Sequence, residues 1–92
     1  MRIWGKLIRE NHLLKDTVAE IGGSDSRTHK VMAAMREICL RFDLPEPIWL
    51  DMNIRDFQRI ARTRFYRDSF VEEIPFDYLD FQVIEEDDPF LF

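Results

Sequence analysis

Residues 76–86 read Phe-Asp-Tyr-Leu-Asp-Phe-Gln-Val-Ile-Glu-Glu, and no other stretch limits the fold as much. Leu79, Phe81 and Val83 face one way along an extended backbone, while Asp80 and Gln82 face the other. Alternation at period two is what a strand with one covered side requires. Such a strand needs partners, so the rest of the chain must supply a sheet.

The first partner is at the start. Ile3, Gly5 and Leu7 alternate with Arg2, Trp4 and Lys6 over residues 2–9. Glu10-Asn11-His12 interrupts the run, and a second apolar run follows from Leu13 to Ile21. Two short runs around a polar break predict a β-hairpin. Leu14 and Val18 are expected on one face, with Leu13, Ala19 and Ile21 on the other.

Gly22-Gly23-Ser24-Asp25-Ser26 is a loop, and its Ser24, Asp25 or Ser26 can cap a helix by accepting bonds from orphan N–H groups. The helix runs from about Arg27 to Phe42, because Val31, Met35, Ile38, Cys39 and Phe42 recur at three- and four-residue steps. Leu44-Pro45-Glu46-Pro47 stops it, since proline cannot continue a helix. Ile48-Trp49-Leu50 then reads as a short strand. A second helix is expected from about Ile54 to Phe65 or Tyr66, with Asn53 and Asp56 in a capping arrangement and a stripe of Ile54, Phe57, Ile60, Ala61 and Phe65. The expected fold is α+β, a four-stranded, mostly antiparallel sheet with both helices on one face, in the order ββαβαβ. Residues 1–86 form the domain and 87–92 an acidic, apolar-ended tail.

A chain of 92 residues makes one domain with one modest core. Its single cysteine, Cys39, excludes an intramolecular disulfide. No apolar run approaches the roughly 20 residues that cross a bilayer, so no membrane role is expected. Met1-Arg2-Ile3-Trp4-Gly5 has no leader pattern, and with no disulfide staple the expected location is the cytoplasm. The net charge of −5 hides a split. Thirteen basic and ten acidic side chains give +3 over residues 1–71, whereas eight acidic and no basic ones give −8 over residues 72–92.

The stretches MRIWGKLI, LLKDTV, RTHKVMAAM, FDLPEPIWLD, RFYRDSF and FDYLDFQVIEEDD, taken in order, span nearly the whole chain. Together they resemble a group of small uncharacterised proteins from clostridia-type Gram-positive bacteria. The resemblance implies a bacterial, cytoplasmic, single-domain protein. It implies no activity and carries over no functional residue.

The chain shows no catalytic or metal grouping. His12 and His29 each find at most one nearby acidic partner, Asp16 and Asp25 respectively, short of the three or four ligands a metal needs. Cys39 sits on the apolar stripe of the first helix, late in that helix, which suits a core thiol better than a nucleophile. Asp51, Asp56, Asp77 and Asp80 make no calcium loop, and Gly22-Gly23 makes no phosphate loop. No cofactor is expected.

Two uneven distributions point instead to binding. Arg55, Arg59, Arg62, Arg64 and Arg67 fall within thirteen residues, and on a helix Arg55, Arg59 and Arg62 would share a face able to meet phosphate or a protein. The plainer reading pairs that face with the acidic C-terminal strand. Eight of the twelve aromatic residues lie from Phe65 onward. They exceed what a small core holds, so Tyr66, Phe70, Phe90 and Phe92, with Leu91, are candidates for a partner surface or a homodimer contact. The ending Phe90-Leu91-Phe92 loosely resembles sliding-clamp-binding peptides but lacks their upstream glutamine. A terminus that packs on its own sheet, or takes no fixed structure, is the simpler account.

The sequence therefore reads as a non-enzymatic protein-interaction or regulatory module, with a protein partner or its own copy as the expected ligand. The alternatives are a nucleic-acid-associated regulator using the arginine-rich second helix, less favoured because the net charge is negative, and a small ligand-binding protein or enzyme with a pocket between sheet and helices.

Overall fold

A computed structural model describes residues 1–87. It shows a four-stranded antiparallel sheet and two helices, the expected α+β class. The strands are β1 (Arg2–Arg9), β2 (His12–Glu20), β3 (Arg62–Tyr66) and β4 (Tyr78–Glu85), and the helices are α1 (Arg27–Phe42) and α2 (Asp51–Ile60). In space the strands lie in the order β2-β1-β4-β3, so β1 and β4 occupy the centre.

The hairpin forms as expected, with Glu10 and Asn11 at φ 50° and 64° in its turn. Two successive positive φ values match the right-handed twist of the flanking strands. Leu7 stands opposite Lys15 and Ile8 opposite Leu13, which leaves Leu14 as a bulge. The bulge moves Leu13 to the same face as Val18, a correction to the strict alternation read from the sequence.

One side of the sheet carries the core. Ile3 and Leu7 of β1, Leu79 and Phe81 of β4, and Phe65 of β3 are buried against Val31, Met35, Ile38, Cys39 and Phe42 of α1 and Phe57 of α2. The full stripe expected for α1 is buried, together with Ala34. Ser26 caps α1, its Oγ accepting the His29 N–H at 3.2 Å. Gly5 lets the helix approach, since a Cβ there would lie 2.7 Å from Ile38 Cγ2. Trp49 packs edge-on against Phe57, Phe65 and Phe81 at 4.9–5.9 Å between centroids, tying α2 to β3 and β4 on this same side.

The middle of the chain departs from expectation. Ile48-Trp49-Leu50 is not a strand. Pro45 and Pro47 have no N–H to give a ladder, and the Ile48 N–H bonds to the Ser69 carbonyl at 2.7 Å as an isolated contact. The third strand instead follows α2, so the elements run ββααββ along the chain. Helix α2 begins earlier, at Asp51, where Asn53 Oδ1 accepts the Leu50 N–H at 3.0 Å. It ends at Ala61, which takes a left-handed conformation at φ 54°, ψ 33°. Arg62–Tyr66 is therefore strand, not helix. Asn53 fixes that junction from within, its Nδ2 donating to Thr63 Oγ1 and to the Arg64 carbonyl, both at 2.9 Å. Of the stripe expected on the second helix, Phe57 is buried, whereas Ile54 and Ile60 are exposed.

Asp87 folds back onto the domain, accepting from the Met1 amine at 2.7 Å and from the buried Lys30 at 2.6 Å. Residues 88–92, with the expected Phe90, Leu91 and Phe92 contacts, lie outside the described residues. No helix among the described residues is long and apolar enough to cross a membrane.

Candidate functional site

Both helices pack on one side, so among the described residues no layer lies over the other side of the sheet. Three rows of side chains cross this uncovered face, fixed by the strand register. Val18, Trp4, Gln82 and Arg62 form the first, Asp16, Lys6, Asp80 and Arg64 the second, and Leu13, Ile8, Tyr78 and Tyr66 the third. Beyond the first row, Arg2 stands between Glu20 and Glu85.

Asp80 anchors the face. It is only 2% exposed, closed over by the cationic side chains paired with it. Arg62 grips it with two bonds, Nε to Oδ1 at 3.0 Å and Nη2 to Oδ2 at 2.6 Å. Arg64 Nε lies 3.7 Å and Lys6 Nζ 4.0 Å from Oδ2. The hydrogen bond to Asp80 raises the Arg62 pKa above its ordinary value. Around this centre the aromatics are held by cations. Lys6 Nζ sits 4.0 Å over the Trp4 ring, and the Arg64 guanidinium carbon 4.7 Å over the Tyr78 ring. Trp4 Nε1 donates to Asp16 Oδ2 at 2.9 Å, and Tyr78 leans on Tyr66 with centroids 5.3 Å apart. Each of these contacts restricts the rotamers open to a large amphipathic side chain.

The charges follow the strands. On this face β2 offers Asp16 and Glu20, β1 offers Arg2 and Lys6, β4 offers Asp80 and Glu85, and β3 offers Arg62 and Arg64. Four cations and four carboxylates leave no net charge, while the sign alternates strand by strand. Interleaved with them are exposed Leu13 and Tyr66 and half-buried Trp4, Ile8, Val18 and Tyr78.

The arginine cluster expected on one helix is split. Arg55 and Arg59 lie on α2, Arg62 and Arg64 on β3, and Arg67 in a single turn of 3-10 helix at Arg67–Ser69. Pairing with the acidic C-terminal strand does occur, through Arg62 and Arg64 on Asp80. Phe70 is a core residue, packed edge-on to Phe76 at 5.7 Å, and offers no surface to a partner. Tyr66 is 40% exposed, as a contact residue requires. Nothing local in the sequence marks Trp4, Lys6, Asp16 and Asp80 as interaction residues. Their signal was the polar half of two alternating strands, and the strand order that joins those halves is not written locally.

Other places are poorer candidates. A groove of about 260 Å³ between α1 and α2 is lined by Arg27, Val31, Met32, Trp49, Ile54 and Phe57. It is apolar, with Arg27 already bound to Glu86 at 2.7 Å. Cys39 is buried, and loss of solvent pushes its thiol up to about 12, far from a nucleophile's range. No group of three or more His, Cys, Asp or Glu side chains that could hold a metal ion occurs among the described residues. Comparison with family models, curated proteins and solved structures returns no match to the chain.

Proposed function

We propose that the chain is a non-enzymatic protein-binding module whose working surface is the uncovered face of the sheet. The observation that carries this reading is the composition of that face: Trp4, Tyr66 and Tyr78, each in contact with a neighbouring side chain and set among charges that sum to zero. Aromatic and arginine side chains are what protein interfaces enrich. Phosphate backbones select for a surplus of cations, because their affinity comes from counterion release. Here each basic strand lies beside an acidic one, which favours protein over nucleic acid. Asp80, under its arginines, serves as the internal counter-ion that positions them.

Affinity capture from a bacterial lysate with the wild-type chain, a Trp4→Ala/Tyr66→Ala variant and an Ile54→Ala control tests the reading. A protein retained by wild type and control but lost with the face variant supports it, once the purified pair shows an affinity loss of about tenfold or more in titration calorimetry. Equal retention by all three overturns it. A gel shift with generic single-stranded DNA or RNA that weakens steeply with salt would move the assignment to nucleic acid.

A further inference from the structure

We infer that the partner on this face is a second copy of the chain, stacked sheet to sheet about a two-fold axis that runs parallel to the strands between β1 and β4. The inference rests on the protein-binding reading and names its ligand. A symmetric face-to-face contact needs its axis in the plane between the sheets, which leaves two principal directions. An axis along the rows lays each strand over its own copy, so β2 carboxylates meet β2 carboxylates and β3 arginines meet β3 arginines. An axis along the strands reverses the strand order and keeps the rows. Then β2 lies over the partner's β3 and β1 over the partner's β4.

Because the sign alternates across the order β2-β1-β4-β3, that reversal sets every charged strand against its opposite. Asp16 comes over the partner's Arg64 and Arg2 over the partner's Glu85, while Asp80, sealed under the cations of its own chain, makes no direct contact across the interface. In the third row Leu13 comes over the partner's Tyr66 and Ile8 over the partner's Tyr78, apolar on apolar. Trp4 covers the partner's Gln82. The charge order thus matches itself once reversed, the condition an isologous interface must meet. Cross-strand attraction within one sheet also favours alternating sign. It does not account for Leu13 and Tyr66, 52% and 40% exposed, in the same patch. Sheets stacked about 10 Å apart would cover them.

Charge reversal at the Asp16–Arg64 contact tests the arrangement. The measurement is sedimentation equilibrium of the full chain from about 1 μM to about 1 mM, a span that reaches the weak end of specific interfaces. Wild type is expected to show a monomer–dimer equilibrium. Asp16→Arg alone and Arg64→Asp alone each set like charges together twice per dimer, and each is expected to weaken association by about tenfold or more. Mixed in equal amounts, the two variants are expected to associate with each other, because both contacts then join opposite charges. A misfolded variant could not be rescued by mixing, so the rescue separates interface from stability. A wild-type monomer across the range, or a mixture no tighter than the separate variants, overturns the inference. Should wild type stay monomeric while the Trp4→Ala/Tyr66→Ala variant still loses a captured protein, self-association fails and the protein-binding reading stands.

Discussion

Arg62 on β3 and Asp80 on β4 face each other diagonally across the strand pair and share two hydrogen bonds, at 3.0 and 2.6 Å. The carboxylate is almost fully sealed, while the Arg62 side chain remains 36% exposed. Removing the acid therefore leaves its cations free to regain water. Asp80→Asn is expected to cost about 1–2 kcal/mol, less than breaking a fully buried pair. Urea unfolding would read the loss. Because Arg64 and Lys6 lose the same anchor, the Trp4 emission should also shift, Lys6 being 4.0 Å from its ring.

This centre was half legible in the sequence. Asp80 stands visibly on the polar side of the last strand, whereas the spacing around the arginines that meet it predicts a helix. Ile54, Phe57, Ile60, Ala61 and Phe65 keep a helical spacing straight through the point where the helix ends. The break is made by an alanine in a left-handed conformation, with neither glycine nor proline to mark it. Arg62–Tyr66 also alternates, with Thr63 and Phe65 buried, yet five residues are too few to outweigh the longer period. Helix α1 and strand β4 carry unmixed signals, and their expected bounds fall close to the observed ends. Which faces would lie side by side depended on strand order, a long-range property that local periodicity does not encode.

Gly5 is a point of close approach between α1 and the sheet. The added methyl of Gly5→Ala would lie 2.7 and 3.2 Å from two carbons of Ile38. Overpacking of this kind costs about 1–3 kcal/mol. The cost should shrink when Ile38→Ala makes room, so the double variant is expected to lose less than the sum of the two singles. A double-mutant cycle by chemical denaturation measures the coupling. Additive losses would show that the helix moves away as a body instead.

Ala61 ends α2 with φ 54° and donates its N–H to the Phe57 carbonyl at 2.9 Å. Its own carbonyl accepts from Val83, also at 2.9 Å, so the conformation is held from both sides. A left-handed L-residue costs roughly 1–2 kcal/mol that glycine does not. Greater freedom of glycine in the unfolded chain takes back part of the gain. Ala61→Gly is therefore expected to stabilise the fold by about 0.5–1 kcal/mol and raise the melting temperature by a few degrees. A lower melting temperature would mean that the half-buried methyl contributes more than the strain removes.

Asp87 gives the fold an acid-sensitive contact. Its pKa lies below the ordinary 3.8, first because Lys30 donates to it, then because the Met1 amine does. A carboxylate held below its unfolded value stabilises the native state at every pH above that value. The contribution fades as pH falls from 3.8 toward the lowered native value, because the unfolded chain takes up the proton first. Asp87→Asn is expected to be less stable than wild type by a constant margin from neutral pH down to about 5. Below that the margin narrows, and it closes once both states are protonated. Guanidinium unfolding of both proteins at a series of pH values would trace this convergence. Lys30 is only 3% exposed and has this carboxylate as its ionic partner, so Lys30→Met should lose much less stability than Asp87→Asn, since a buried ammonium left alone costs more than an apolar chain in its place. Curves that stay parallel into the acid range would show that the Lys30–Asp87 contact does not persist in solution.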